Sequence, residues 1–296
     1  MKIKNKQDFF FNFLNYSIIA ILILVVLYPM VYILSASFSS PTRIAMGDVW
    51  LLPVDITLIS YRTLVNYDYI WIGYGNTIFY TAVGTLINIA VTLMCAYPMA
   101  RTNLRGRGPL MIMFTFTMLF GGGMIPNYLL VKNLGMLGTR WAVIIPGAMS
   151  VYNMIVARTF IQSNVPNEML ESTQMDGCNN TYFFFKMVLP LVKPIIAVLA
   201  MWYGVGHWNS YFNAFLYLDD INKMPLQIFL KEMLIHSQRL AEQAEEGSIV
   251  EDIASQHLAQ GVKYAVIVLS SAPLMCVYPF VQKYFRQGVL MGSVKG

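Results

Sequence analysis

Long apolar runs alternate with short polar interruptions along this chain. A bilayer core about 30 Å thick is crossed by about 20 apolar residues of helix. Six segments reach that length, roughly 12–37, 76–100, 109–132, 141–161, 187–217 and 263–286. The last two are long enough to tilt or to run past the hydrocarbon. Ile18 to Leu34 with its aromatic flank exceeds the apolar core of a signal peptide, about 7–15 residues. The first run therefore reads as a retained span, despite Lys2, Lys4 and Lys6 before it and Ser35-Ala36-Ser37 after it.

One interruption differs from the rest. Between the fourth and fifth runs lies SNVPNEMLESTQMDGCNNTYFFFKMVLP, residues 163–190. Ser163 and Asn164 are helix-start residues, Pro166 suits a first turn, and Glu168 sits where the helix dipole favours an anion. Pro166, Met169, Leu170 and Thr173 then fall on one face, with Glu168, Glu171 and Ser172 mostly off it. Gly177 stops the helix as a left-handed cap. Asn179 and Asn180 start another, whose Phe183-Phe184-Phe185 enters the interface and which bends at Pro190 and Pro194. The pattern predicts a helix of about three turns over 165–177, with a Met/Leu ridge and a carboxylate edge. Helices that rest on lipid are usually basic. An acidic one suits a groove on another protein.

Composition agrees with a membrane protein. Of 296 residues, 57% are hydrophobic and 12% charged, against about 25% charged in soluble domains. The +5 net charge comes with an asymmetry rather than a nucleic-acid patch. With the N-terminus inside, twelve Lys and Arg fall inside and eight outside, whereas the acids divide four and eleven. The short loop RTNLRGRG at 101–108 is the clearest marker, and positive charge marks the cytoplasmic side. Both termini are thus expected in the cytoplasm, and so is the loop 162–186 that holds most of this insert. The loops 38–73 and 218–262 are expected outside, the second acidic through Glu242, Glu245, Glu246, Glu251 and Asp252. Cys95, Cys178 and Cys276 are scattered, with no CxxC, and indicate neither a disulfide framework nor a metal site.

Away from their ends the spans carry no Asp, Glu, Lys or Arg, and one histidine, His207. Intramembrane ionisable groups mark proton relays and ion coupling, so a self-powered ion-coupled transporter is disfavoured. Catalytic signatures such as HExxH, GxSxG and a phosphate-binding P-loop are missing from the sequence, which disfavours an enzyme. Uphill transport would then draw its energy from another subunit. The most polar intramembrane stretch is GVGHWNSYFNAF, 204–215. On one helix Trp208, Tyr211, Phe212 and Phe215 would share a face, and Asn209 and Asn213 would stack at i, i+4. Aromatic platforms with amides suit sugars, although such groups also join helices. His207, Trp208, Asn209, Tyr211 and Asn213, with Asn88 and Asn153, are the candidate substrate-pathway residues.

The insert also carries a resemblance. E-S-T-x3-G-x9-M-x-L-P, from Glu171 through Gly177 to Leu189-Pro190, is similar to the EAA motif of membrane subunits of bacterial ABC importers. Val165-Pro166, Glu168 and Asp176-Gly177 around it, and the ending QKYFRQGVLMGSVKG, resemble the binding-protein-dependent sugar permeases of the MalG-like group. MLFGGGMIPNYLLVKNLGMLGTRWAVIIPG resembles the LplC/YtcP-type branch, associated with larger oligosaccharides. Ser172 and Thr173 stand where the motif has paired alanines, and Cys178 where a small alanine is usual.

The resemblance implies an all-α polytopic protein of six transmembrane helices with the type I ABC importer fold. Residues 1–73 would hold the N-terminal segment, first span and outer loop, 74–290 the core transmembrane domain, and 291–296 a cytoplasmic tail. The helix at about 165–177 would be a coupling helix seated in a cleft of a partner ATPase, with Glu168, Met169, Leu170, Glu171, Asp176 and Gly177 as coupling residues. Met169 and Leu170 would be its buried contacts, and Glu171 a charge partner for an ATPase arginine. The implied partners are a second homologous permease subunit, two cytoplasmic ATPases, an extracytoplasmic solute-binding protein and membrane lipid, with no nucleic acid. ATP and Mg would bind the ATPase, leaving this chain without a cofactor. The implied place is the bacterial plasma membrane, and the implied cargo a sugar or oligosaccharide. Import of another solute, and transport without an ATPase, are the alternatives.

Overall fold

The structure, a computed structural model, describes residues 6–245 and 250–292. Lys2 and Lys4, Glu246 of the acidic loop and the tail from Ser293 lie outside the described residues. All regular elements among those described are helical. The chain divides into two compact units. One takes residues up to Ile70 together with Leu230–Ala272, and the other takes Trp71–Phe229 and the chain from Pro273.

The first unit contains α1 (Lys6–Phe38), α2 (Pro41–Ala45) and α3 (Ile59–Val65). The apolar segment Phe10–Phe38 of α1 is exposed along most of its length, as expected of a helix whose solvent is lipid, and only Ser35, Ala36 and Ser37 near its end are buried. A small core forms where α1 ends. Ala36, Ile44 and Val49 are buried there, with Tyr32, Val54 and Tyr264 against them. Tyr32 and Tyr264 meet edge to face at 5.6 Å.

The second unit is built on α4 (Asp68–Ala100), which is long and apolar enough to cross a bilayer. After it come α5 (Arg107–Leu119) and α6 (Met124–Asn133), which meet at 112° rather than forming one straight helix over 109–132. The cause lies in Gly121-Gly122-Gly123. Gly123 takes φ +86 at the start of α6, a region that favours glycine. A Cβ on Gly121 or Gly123 would meet nothing within 4 Å. Gly123 supplies the backbone freedom that the bend needs.

The next two expected spans are also bent. α7 (Arg140–Ile144), extended by a 3-10 turn at Ile145–Gly147, meets α8 (Val151–Asn164) at 52°. Pro146 removes a donor from the turn, and Ser150 restarts the helix by accepting from the Asn153 N–H. α9 (Asn167–Met175) and α10 (Asn180–Phe183) follow, then a π-helical stretch Phe184–Val188 and α11 (Leu189–Leu191). This last run meets α12 (Lys193–Trp208) at 79°. Pro190 and Pro194 flank that break, as the sequence suggests.

α12 stops at Trp208, and α13 (Phe212–Tyr217) begins after a break at Asn209–Tyr211. The continuous helix expected over 187–217 is therefore three pieces, and the i, i+4 stack of Asn209 on Asn213 does not form. α14 (Leu226–Glu245) and α15 (Val250–Gly292) complete the described chain. Within α15, His257–Val277 is long and apolar enough to cross a bilayer.

The main core of this unit gathers Leu93, Ala96 and Met99 of α4, Met154, Ala157 and Ile161 of α8, Leu170 of α9, and Phe183, Val188, Val192 and Leu199. A separate polar clasp fixes the turn between α13 and α14. Asn76 donates to the Asn222 and Met224 carbonyls at 2.7 and 3.1 Å and accepts from Arg140 at 2.9 Å. Tyr80 donates to the Lys223 carbonyl at 2.8 Å, and Thr77 accepts from the Leu226 N–H at 2.8 Å. Lys223 reaches the Gly138 carbonyl at 3.0 Å. The Asn222 backbone N–H, helped by Lys223, holds the Asp220 carboxyl below the usual carboxylate range.

Candidate functional site

Two regions gather the candidate residues, the α9 insert and the breaks around α12. In the insert, Pro166 is the residue before the helix, with φ −59 and ψ 148, and α9 runs two residues less at each end than 165–177. Ser163 and Asn164 close α8 and do not start α9. The stop is a Schellman motif. The Gly177 N–H donates to the Gln174 carbonyl and the Cys178 N–H to the Thr173 carbonyl, both at 3.0 Å, with Gly177 at φ +79. Asn179 caps the next helix by accepting from the Tyr182 N–H at 2.7 Å.

The orientation of α9 corrects the expected ridge. Leu170 is 4% exposed and Thr173 8%, and Met169 packs on the same core. Leu170 thus packs into its own chain's core, with little of its side chain left exposed. The reason is local: Val165, two residues from the helix start, and Phe183 after it both enter the same core. What α9 presents outward is Glu168, Glu171, Ser172, Gln174 and Asp176, and above all Met175 at 89% exposed. Met175 escaped the sequence reading because it falls off the 166–169–170–173 face.

Close by, the C-terminal turn of α4 is capped from outside the helix. The Met99 carbonyl accepts from Arg158 at 2.9 Å, the Ala100 carbonyl from Gln162 at 3.2 Å, and the Arg101 carbonyl from Arg107 at 3.4 Å. Arg101 itself is 9% exposed. Its guanidinium lies 5.4 Å from the Tyr97 ring and 5.7 Å from the Phe183 ring. No carboxylate pairs with it among the described residues, so the two ring faces are what compensate its charge. The Arg101–Phe183 contact ties the end of α4 to the segment after α9. Desolvated cation–π pairs are worth about 2 kcal/mol, and Arg101→Ala is expected to lower the melting temperature of the purified chain. Arg101→Lys should recover part of the loss, and two identical melting curves would show that the rings bind it without consequence.

The substrate-pathway candidates do not converge on one constellation. The His207 ring packs against Gly84, where a Cβ would come 2.5 Å from its Nε2. That nitrogen is buried without a hydrogen-bond partner. Trp208 is 6% exposed, with Tyr74 at 6.3 Å, and borders an apolar cavity of about 580 Å³ between α4, α12 and the later part of α15. Asn209 turns back to its own helix, donating to the Val205 carbonyl at 3.0 Å. Tyr211 is exposed and meets Phe212 edge to face.

Asn213 instead borders a second cavity of about 400 Å³, with Asn127, Gly147 and Tyr217. Asn88 is 2% exposed and donates to the Gly147 carbonyl at 3.1 Å, so it braces the α7–α8 break. Asn153 is buried beneath its Ser150 cap. Thr81, Thr85 and Gly204 line the larger cavity, and the two threonine hydroxyls are buried without partners. They were missed because Thr and Gly in an apolar run look like ordinary packing. Asn127, in the smaller cavity, was missed because its span reads as continuous.

No family model matches the sequence. Over 97% of this chain and 98% of the relative, it is 39% identical to the polygalacturonan/rhamnogalacturonan transport system permease protein YtcP of Bacillus subtilis (strain 168). Protein LplC of the same organism is 40% identical over 90% of this chain and 89% of its own length. The structure is similar, with TM-score 0.85 and 33% identity, to a chain of a bacterial ABC transporter involved in the import of the acidic polysaccharide alginate, covering 96% of this chain and all of that one. Full-length likeness in sequence and in fold leads to one conclusion: the chain belongs to the sugar-transport family of ABC importer permease subunits, integral proteins of the bacterial plasma membrane.

Proposed function

We propose that this chain forms half of a translocation pore for an oligosaccharide, paired with a second, homologous permease subunit and driven by two cytoplasmic ATPases. Cargo comes from an extracytoplasmic binding protein. Three long helices and three bent pairs give six membrane spans, with both termini and α9 in the cytoplasm, consistent with the arginines at 101, 105 and 107. α9 is the coupling helix. Its outward edge of Glu168, Glu171, Met175 and Asp176 docks on the ATPase, and ATP with its Mg binds there rather than here. The observation that carries this reading is the polar, carboxylate-bearing face that α9 leaves uncovered on an otherwise apolar chain.

YtcP is named for polygalacturonan and rhamnogalacturonan, and the alginate transporter for an acidic polysaccharide. Oligosaccharides containing uronic acids are accordingly the first cargo to test. Of the pathway candidates, Trp208 lines the larger cavity and Asn213 the smaller, and these two cavities are the first places to test. When the chain is purified gently from its native membrane, a second permease, an ATPase and a binding protein are expected to accompany it. In vesicles that assembly should take up oligogalacturonides only with ATP. Uptake by this chain alone, without ATP, would overturn the proposal.

A further inference from the structure

The loop that follows α1 has a use that neither the pathway nor α9 explains. It does not run out into solvent. Ser35 donates to the Leu51 carbonyl at 2.6 Å, and Ser39 accepts from the Val54 N–H at 3.0 Å. The Ser40 N–H donates to the Val54 carbonyl at 3.1 Å and the Thr57 N–H to the Phe38 carbonyl at 2.9 Å. These bonds fold residues 46–58 back along the last turn of α1. Ser35 precedes the helix end by three residues, so the Leu51 carbonyl lies about 4.5 Å back from that end. This level is inside the apolar window Phe10–Phe38.

The loop is built to show an apolar tip at that level. Val49 points inward and is 4% exposed, whereas Trp50, Leu51 and Leu52 point outward at 69, 53 and 77%. Residues 49–54, VWLLPV, carry no charge and no hydrogen-bonding side chain except the indole. Charge is confined to the base of the loop, where Arg43 bridges Asp48 at 3.1 Å and Asp55 at 2.7 Å. Asp55 holds φ +50, a left-handed backbone that a non-glycine residue seldom adopts, and the Arg43 bridge fixes it there.

We infer that Trp50, Leu51 and Leu52 form a lipid anchor in the leaflet reached by the C-terminal end of α1, with the Arg43–Asp48–Asp55 triad at the level of the head groups. Tryptophan is the residue that settles at this boundary, its ring among acyl chains and its N–H toward water. Continuity with the span argues for lipid over a soluble partner. A water-soluble protein covering Leu51 would have to enter the bilayer alongside α1.

The test uses the chain purified with its native partners and reconstituted in phosphatidylcholine vesicles, plain or brominated on the acyl chains. Subtracting the emission of Trp50→Phe isolates Trp50, an exposed position where the smaller ring leaves the fold intact. Brominated lipid is expected to remove most of that difference emission, and aqueous iodide to leave it. Quenching by iodide at least as strong as by bromine places the loop in water and overturns the anchor. Emission that neither quencher reaches means that another protein covers the tip, and overturns it equally.

Discussion

Glu171→Ala is expected to abolish ATP-driven uptake while leaving the chain inserted and folded. Glu171 lies on the exposed side of α9, so removing its carboxylate opens no cavity. If it pairs with an ATPase arginine, the loss is that of a charge-assisted hydrogen bond, about 1.5–3 kcal/mol, or roughly 10- to 100-fold in ATPase affinity. Leu170→Ala, one residue away, should behave oppositely. Leu170 is 4% exposed in the chain's own core, and deleting such a side chain costs about 2–5 kcal/mol of folding stability. Co-purification of the ATPase, set beside the melting temperature, separates the two. Normal uptake by Glu171→Ala would remove this residue from coupling. Gly177 stands between these cases. A Cβ there meets nothing within 4 Å, so Gly177→Leu costs mainly the left-handed backbone, about 1–2 kcal/mol.

Gly73→Val should cripple the fold itself. In the first turns of α4 a Cβ at 73 would lie 2.9 Å from the Leu226 Cα, 3.1 Å from its N and 2.9 Å from the Phe229 ring. Two of these atoms are backbone, and the Leu226 N–H is already held by Thr77. The start of α14 has no room to yield without breaking that bond, so the penalty lies at or above the usual overpacking range of about 1–3 kcal/mol. Gly75 provides the control two residues on. Nothing lies within 4 Å of its Cβ position, and alanine in a helix interior is favoured over glycine by about 1 kcal/mol. Thermal unfolding in detergent should place Gly73→Val well below the parent and Gly75→Ala at or above it. A Gly73→Val chain as stable as Gly75→Ala would show that the close approach at Leu226 is not real.

Legibility in the sequence followed the range of the interactions. The bounds of α9 depend on neighbours within a few residues, so Pro166 and Gly177 announced them. Its outward face did not, because Leu170 is drawn into a core shared with residues of α4, α8 and α10, a long-range packing that no local pattern records. The apolar runs marked where helices lie, since the bilayer demands length. Their bends were only partly visible: Pro190 and Pro194 signalled one, whereas Gly121–Gly123 stood inside a run read as continuous and Asn209-Ser210-Tyr211 contains nothing that forbids a helix. That break dissolved the expected aromatic face of 208–215. The clasp of Asn76, Arg140 and the 220–226 turn was invisible for the same reason, because its donors and acceptors lie 64 and 146 residues apart. Family membership was legible from the spaced motif Glu171 to Pro190, with the run at 118–147 and the ending at 282–296 pointing to the sugar-permease group, because the positions of each are local.

The seating of α9 has a mechanical meaning. A helix lying loosely on a surface can roll about its axis and so absorb a sideways push. With Leu170 and Thr173 sunk into the core and a hydrogen-bonded turn locking its far end, α9 has no such rotation available. A displacement applied at its carboxylates is delivered as translation to whatever shares that core, which is the inner end of α4, the whole of α8 and the start of α12. As the proposed coupling helix, α9 would work as a fixed tooth, carrying a stroke made outside the chain to α4 and α12, the helices that border the larger cavity.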